Sequence, residues 1–263
     1  MLILLPPSET KRHGGIELPL DLQSLTYPSL GPKRRVLVRA LQSLAKHPDA
    51  MMSALRLGRT QSAEVERNRV LSSAATMPAI DRYTGVVYDA LDAASLSPLE
   101  RDWAGRNVLV HSALFGPVGA LDLLPAYRLS CDSRLPELPL KKHWAGAVGC
   151  VLAGSAGLLL DLRSNGYVAL GPAPVRPDAV FLRVVTETAD GQTRAVNHFN
   201  KTAKGNFTRA LIRHGRSFDT AVELLDWAPG AGFDLRPGAV RELNLVVAAG
   251  LPQPEADAGT FRP

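Results

Sequence analysis

MLILLPPSETK, Met1–Lys11, runs five apolar side chains into two prolines and then presents a hydroxyl, an acid, a second hydroxyl and a lysine. A short apolar run without polar alternation reads as a strand buried on both faces, and the prolines stop it. Such a strand delivers Ser8, Glu9, Thr10 and Lys11 to its C-terminal end, where buried strands commonly offer contacts to ligands. Two later stretches repeat the arrangement. In NVLVHSALFG a central strand over Asn107–Ala113 opens into a glycine-punctuated loop, and in GLLLDLRSNGY a buried strand ends near Leu162 with polar residues at its mouth.

Around these strands the periodicity changes. Val36, Leu37, Leu41 and Leu44 recur at helical intervals between Arg34 and Lys46, Pro48 marks a stop, and a second helical region runs through Met51–Leu57. Asp122–Tyr127 reads as a helical turn. The segment AGAVGCVLAGSAGLLLDL, broken by glycines and small residues, reads as buried backbone. FLRVVTETADGQTRAVNHF suggests two strands joined around Asp190 and Gly191, and Val240–Val247 another strand. The expected body is α/β or α+β with a mixed sheet, one compact domain over residues 1–250, followed by a frayed tail over 251–263. There is no internal repeat and no evident linker.

The chain has 263 residues, 46% of them hydrophobic, enough to bury a sizeable core. Thirty basic residues against 25 acidic ones give a formal charge of +5, a bias that favours polyanions without specifying one. Cys131 and Cys150 are too few for a disulfide framework or a zinc knuckle, and neither has a sequence partner that would mark a peroxide-reducing pair. The six histidines, His13, His47, His111, His143, His198 and His214, are scattered, with no HExxH motif. No metal and no cofactor are expected. The N-terminus has no basic residue ahead of its apolar run and meets proline too early for a signal peptide, and no apolar run reaches the length of a membrane span. A cytoplasmic monomer is the expectation.

NHFNKTAKGNFTRALIRHGR, Asn197–Arg216, carries lysines and arginines but no acid. Projected as a helix from Lys201 to Arg216, it places Ala203, Phe207, Ala210, Leu211 and His214 on one side and Lys201, Lys204, Thr208, Arg209, Arg213 and Arg216 on the other. Gly205 falls in the cationic half, where it costs roughly 1 kcal/mol relative to alanine. Close approach of the backbone to a ligand explains it, and so does a tight turn leading into a helix from Phe207 whose free N–H groups face an anion. A solvated face that simply drew basic residues is the alternative.

Two further groups are polar. PPSETKRHGG sets Ser8 near Lys11, a pairing suited to an oxyanion or to nucleophilic chemistry, without the spacing of a phosphate loop or a dinucleotide fingerprint. SALFGPVGALDLLPAYRLS offers Asp122 and Arg128 as a pair and Tyr127 as a hydroxyl or stacking face. His111 reads as a satisfied histidine at a strand end.

Taken in order, PPSETK, RYTGVVYDAL, SALFGPVGALDLLPAYRL, DLRSNGY and NKTAKGNFTR resemble the blocks of the YaaA peroxide-stress family across most of the chain. The resemblance implies a cytoplasmic bacterial protein of the YaaA-like fold that protects against hydrogen peroxide and limits damage associated with intracellular iron. It also implies binding of double-stranded DNA through a basic cleft with a helix-hairpin-helix-like element. The family's serine-to-lysine loop falls on Ser8 and Lys11, its central block on Leu114, Phe115, Gly116, Asp122, Tyr127 and Arg128, and its basic segment on Lys201, Lys204, Gly205 and Arg209. This chain departs in carrying Glu9 in a longer first loop, Phe115 for tyrosine and Asp161 for asparagine. A Glu9 side chain facing the cleft would repel phosphate.

The leading expectation is non-specific clamping of duplex phosphates by Lys11, Arg128, Lys201, Lys204, Arg209 and Arg213, with Gly205 admitting the main chain. The rival is an enzyme acting on a small anionic substrate among Ser8, Lys11, Asp122, Tyr127, Arg128, Ser164 and Lys201. A binding protein for another protein is the third, favoured by a dispersed basic face.

Overall fold

The computed structural model describes residues 1–187, 193–195 and 199–248. The strands are β1 (Leu2–Leu5), β2 (Met77–Pro78), β3 (Val108–Ser112), β4 (Gly116–Gly119), β5 (Leu123–Leu124), β6 (Leu159–Asp161), β7 (Ala179–Glu187), β8 (Thr193–Ala195), β9 (Asp234–Pro237) and β10 (Glu242–Val247). The helices are α1 (Gly31–Leu44), α2 (Pro48–Leu55), α3 (Ala63–Arg69), α4 (Ala79–Arg82), α5 (Val86–Leu91), α6 (Pro98–Asn107), α7 (Leu140–Ala153), α8 (Asn165–Leu170), α9 (Phe199–His214) and α10 (Ala221–Trp227).

One mixed sheet in the order β4-β3-β1-β6-β7-β10-β9, with β8 beside β7, forms the centre of a single α/β domain. Its core strands are parallel: β1 pairs with β3 through Ile3–Val108 and with β6 through Ile3–Leu160, while β6 pairs with β7 and β7 with β10. Strands β4, β9 and β8 are antiparallel to their neighbours. Ile3, Leu4 and Leu5 have no exposed surface, which accounts for their unbroken apolar run; each such side chain contributes roughly 2 kcal/mol by leaving water.

From β1 the chain passes to β3 and β4 on one flank, then crosses β1 to enter β6 on the other. That reversal is a topological switch point at the C-terminal ends of β1 and β6, the kind of place where open parallel sheets bind ligands.

Local chemistry sets the helix limits. Ser97 accepts from Glu100 N while the Glu100 carboxylate accepts from Ser97 N, a reciprocal cap, and Pro98 follows at the first turn of α6. Helix α9 buries Phe207, Leu211 and Ile212 and ends before Gly215, whose φ of 69° suits a left-handed stop.

Three local expectations need correction. Asp122–Tyr127 is not a helical turn: Leu123 and Leu124 form β5 against β2, because their carbonyl and amide groups find a partner strand there. Buried backbone over residues 145–162 resolves into α7 followed by β6, since Leu140, Trp144, Val148 and Leu152 recur at helical spacing and are buried. The basic segment is one continuous helix, not a hairpin leading into a helix from Phe207. The hairpin strands pair as β7 and β8, while its turn at Asp190 and Gly191 and the tail over 251–263 lie outside the described residues. Among the described residues no helix is long and apolar enough to cross a membrane.

Candidate functional site

The loop after β1 returns across the mouth of the sheet, and Lys11 pairs through its backbone with Tyr83 at the end of α4. The side chain is thereby folded inward. Its Nζ donates to the carbonyls of Ser8 at 3.0 Å and Glu9 at 3.2 Å, and lies 4.1 Å from the ring centre of Tyr127 and 5.2 Å from that of Tyr83. Lys11 is buried, and burial, reinforced by the nearby Arg128 charge, lowers its pKa from 10.5 to about 7. A large fraction of these amines is therefore neutral near pH 7. The neutral form can give both N–H groups to these carbonyls and keeps a nitrogen lone pair.

A chain of hydroxyls lies beside it. Ser112 Oγ accepts from the amides of Leu114 at 3.0 Å and Phe115 at 2.9 Å, which fills its acceptor positions. Its own hydrogen then goes to Tyr127 Oη, 2.6 Å away, and Tyr127 and Tyr83 share a hydrogen bond between their hydroxyls at 2.7 Å. Three hydroxyl hydrogens serve two contacts, so one tyrosine hydrogen is left over. Burial raises the pKa of Tyr127 to about 12 and that of Tyr83 well above its ordinary value, so both stay protonated as donors.

Arg128 completes the group. Asn68 brackets its backbone, donating to its carbonyl and accepting from its amide, each at 2.8 Å, and its guanidinium pairs with the Glu9 carboxylate. Two buried guanidinium groups hold the surrounding loops by their carbonyls. Arg34 donates to Thr26, Phe115 and Pro117, and Arg82 to Leu124, Ala75 and Arg12. On the β6 side, Arg163 clasps Asp161 through Nε at 2.8 Å and NH2 at 2.5 Å, and donates through NH1 to His111 Nδ1 and to Gly171 O. His111 is therefore neutral with its proton on Nε2. Burial and then the Arg163 charge hold its pKa well below the ordinary value.

The geometry brings together Lys11, Tyr127 and Arg128 from the expected set. Ser8 contributes its carbonyl, while its hydroxyl meets Thr10 Oγ1 at 3.1 Å. Asp122 stands apart and does not pair with Arg128: its carboxylate accepts from Thr26 N, Thr26 Oγ1 and Gly119 N, fixing the β4–β5 turn. Ser164 is an exposed residue at the start of α8. Tyr83, Ser112 and Arg163 are the residues that sequence reasoning passed over as site members, although all three lie in or beside the quoted blocks. A tyrosine or arginine at a strand end gives no local sign of whom it will face. His111 is not satisfied as expected, because Nε2 has no hydrogen-bond partner.

The basic helix is arranged differently from its projection. Lys204 is buried, its Nζ 5.5 Å from the Phe181 ring centre, and burial lowers its pKa to about 8 against the opposing pull of Asp161. Gly205 faces α5: a Cβ there would stand 2.3 Å from Val87 O and 2.7 Å from Ala90 Cβ. The close approach that requires glycine is thus to a neighbouring helix. Arg209 donates to the carbonyls of Leu91 and Asp92 and to Ser95 Oγ, closing the C-terminus of α5. Arg213 reaches Glu100 at 3.9 Å and remains 54% exposed. Lys201 and Arg216 are exposed. Among the described residues no group of three or more His, Cys, Asp or Glu side chains is placed to hold a metal ion.

Comparison with known proteins adds a family to this geometry. The model of a family described as peroxide stress protein YaaA matches residues 1–237. A UPF0246 protein of Corynebacterium efficiens is 42% identical over 254 residues, covering 94% of this chain and all of the relative. One from Streptomyces coelicolor is 37% identical, covering 91% of this chain and 93% of the relative, and one from Bordetella avium is 26% identical over 241 residues.

Proposed function

The chain belongs to the family described as peroxide stress protein YaaA, and on that premise we propose that it serves the response to hydrogen peroxide by holding double-stranded DNA without regard to base sequence, limiting damage driven by intracellular iron. The observation that carries this reading is the outer edge of α9 and the turn after it. Lys201, Arg213 and Arg216 face solvent there, and no acid occurs between Gln192 and Ser217. A surface without function usually mixes its charges. Phosphate contact then falls to these three exposed groups, while Lys204, Gly205 and Arg209 support the helix from within.

Fluorescence anisotropy with unrelated duplexes tests it. Lys201→Glu/Arg216→Glu should weaken every duplex alike, by about tenfold or more at low salt, as expected for lost phosphate contacts. Undiminished binding by the double variant removes DNA from this surface. Lys204 is unsuited to the test, because reversing a buried charge unfolds α9 before it reports on DNA.

A second reading is favoured by one specific observation, the buried Lys11 amine, its pKa lowered to about 7, near the Arg128 guanidinium at the sheet's reversal point. It is an enzyme or receptor for a small anionic compound, with Lys11, Tyr127, Tyr83 and Arg128 as its contacts.

A further inference from the structure

We propose that the Lys11 amine condenses with a small carbonyl compound bearing a carboxylate or phosphate, and that this anion replaces Glu9 on the Arg128 guanidinium. The inference deepens the second reading above and rests on it.

Two features of the site lead there. The first is the asymmetry of the Arg128–Glu9 pair: the arginine side chain is 11% exposed on a backbone that Asn68 holds, whereas the Glu9 side chain is 57% exposed on a loop. Glu9 can swing into water at little cost once another anion takes its place, since its own carboxylate is already largely hydrated. Arg128 cannot leave, and a nearly buried guanidinium without an anion is strongly disfavoured. Arg128 is therefore an anion subsite that the chain fills with its own carboxylate, and a small anion carrying the same two oxygens can take the place.

The second feature is the amine. Lys11 donates to the carbonyls of Ser8 and Glu9 and lies against two tyrosine rings, without a carboxylate in contact. The carbonyls and rings hold the ammonium form, while burial and then the Arg128 charge outweigh them and favour the neutral nucleophile, as burial does for imine-forming lysines generally. The same loop joins the two features, because Glu9 supplies both the plug on Arg128 and a carbonyl to Lys11. An anion bound at Arg128 would bring its neighbouring carbonyl carbon toward the nitrogen.

The step balances without an outside oxidant or reductant. The nitrogen lone pair forms a bond to the carbonyl carbon, the nitrogen gives up two protons, and the carbonyl oxygen takes them and departs as water. The Tyr83–Tyr127 pair, which keeps one hydroxyl hydrogen left over, is the nearby donor for that oxygen.

Glyoxylate, the smallest aldehyde with a carboxylate, is the probe, and propionaldehyde is its neutral counterpart. Full-length protein is incubated with each in the presence of cyanoborohydride, digested, and the modified lysines are identified by mass. Lys11 should be labelled by glyoxylate several-fold faster than exposed Lys201 and Lys142 in the same sample. Glu9→Gln should raise that rate, and Arg128→Gln should lower glyoxylate labelling while leaving propionaldehyde labelling of Lys11 unchanged. Labelling of Lys11 no faster than Lys201, or equal labelling by both aldehydes, overturns the proposal. Glu9 is exposed, so its variant remains informative should Arg128→Gln fail to fold. Calorimetric titration with glyoxylate alone separates the two layers: saturable binding without a trapped adduct overturns the imine and keeps the anionic pocket, and absence of both removes both.

Discussion

At the scale of single residues, burying a lysine works against the fold, and the size of that effect depends on pH. The folded pKa of Lys11 is about 7, against 10.5 in its ordinary state. Between those values the unfolded chain binds more protons than the folded one, so this residue's contribution improves as pH rises through the window and is at its worst below about pH 7. Replacing it with an apolar side chain removes the penalty. Lys11→Met should be more stable than the parent at pH 6.5 by on the order of 3 kcal/mol, after the lost bonds to the Ser8 and Glu9 carbonyls are set against the gain. The difference should shrink toward pH 10. Denaturant unfolding at several pH values reads it directly, and a gap that does not change with pH would mean that Lys11 stays charged. Stability given up at one residue for an amine that titrates near 7 is what the proposed carbonyl site would require. Arg82 shows the opposite case, a buried charge that holds three loop carbonyls. Arg82→Met should cost roughly 3 kcal/mol or more by leaving those acceptors unpaired.

At the scale of elements, α9 packs on one side and leaves its charges on another, the side to which the proposed DNA contact belongs. Its apolar and small residues fit it against α5 and the sheet, and Gly205 is the point of closest approach to α5. In an exposed helix Gly→Ala would gain about 1 kcal/mol of propensity. Here the added methyl must displace the Val87 carbonyl, and Gly205→Ala should instead lower stability by roughly 2 kcal/mol or more, as overpacking of a tight contact does. Thermal melting of Gly205→Ala beside Lys201→Glu separates the roles. The glycine variant should melt several degrees lower, and the surface variant should melt near the parent while binding DNA less well. The helical period of the segment is plain in its sequence, but a periodic pattern names only relative directions. It could not say that α5 would cover the side on which Lys204, Gly205 and Arg209 lie.

At the scale of the whole molecule, the modest net charge of +5 is distributed by packing, and packing decides how much of it DNA can meet. If three exposed groups, Lys201, Arg213 and Arg216, make the phosphate contacts, the logarithm of affinity should fall against the logarithm of salt with a slope near −3, and Lys201→Glu/Arg216→Glu should flatten it by about 2. A slope much steeper than this in the parent would place further cations on the interface. The order of strands was also beyond the sequence: three buried runs announce three central strands, but nothing local says that β1 lies between β3 and β6. The sequence by itself determined the elements that depend on neighbours along the chain. These include the buried strands at Leu2–Leu5, Val108–Ser112 and Leu159–Asp161, the long helices around Leu41 and Leu211, and the polar residues waiting at the strand ends. Only the tertiary structure decided which of those polar residues meet, drawing Lys11 to Tyr83, Tyr127 and Arg128 while sending Asp122 to Thr26. The reason is physical: secondary structure follows from side-chain spacing and backbone limits over a few residues, whereas a buried amine, its acceptors and its neighbouring guanidinium are set by desolvation and hydrogen-bond partners supplied from segments far apart in the chain.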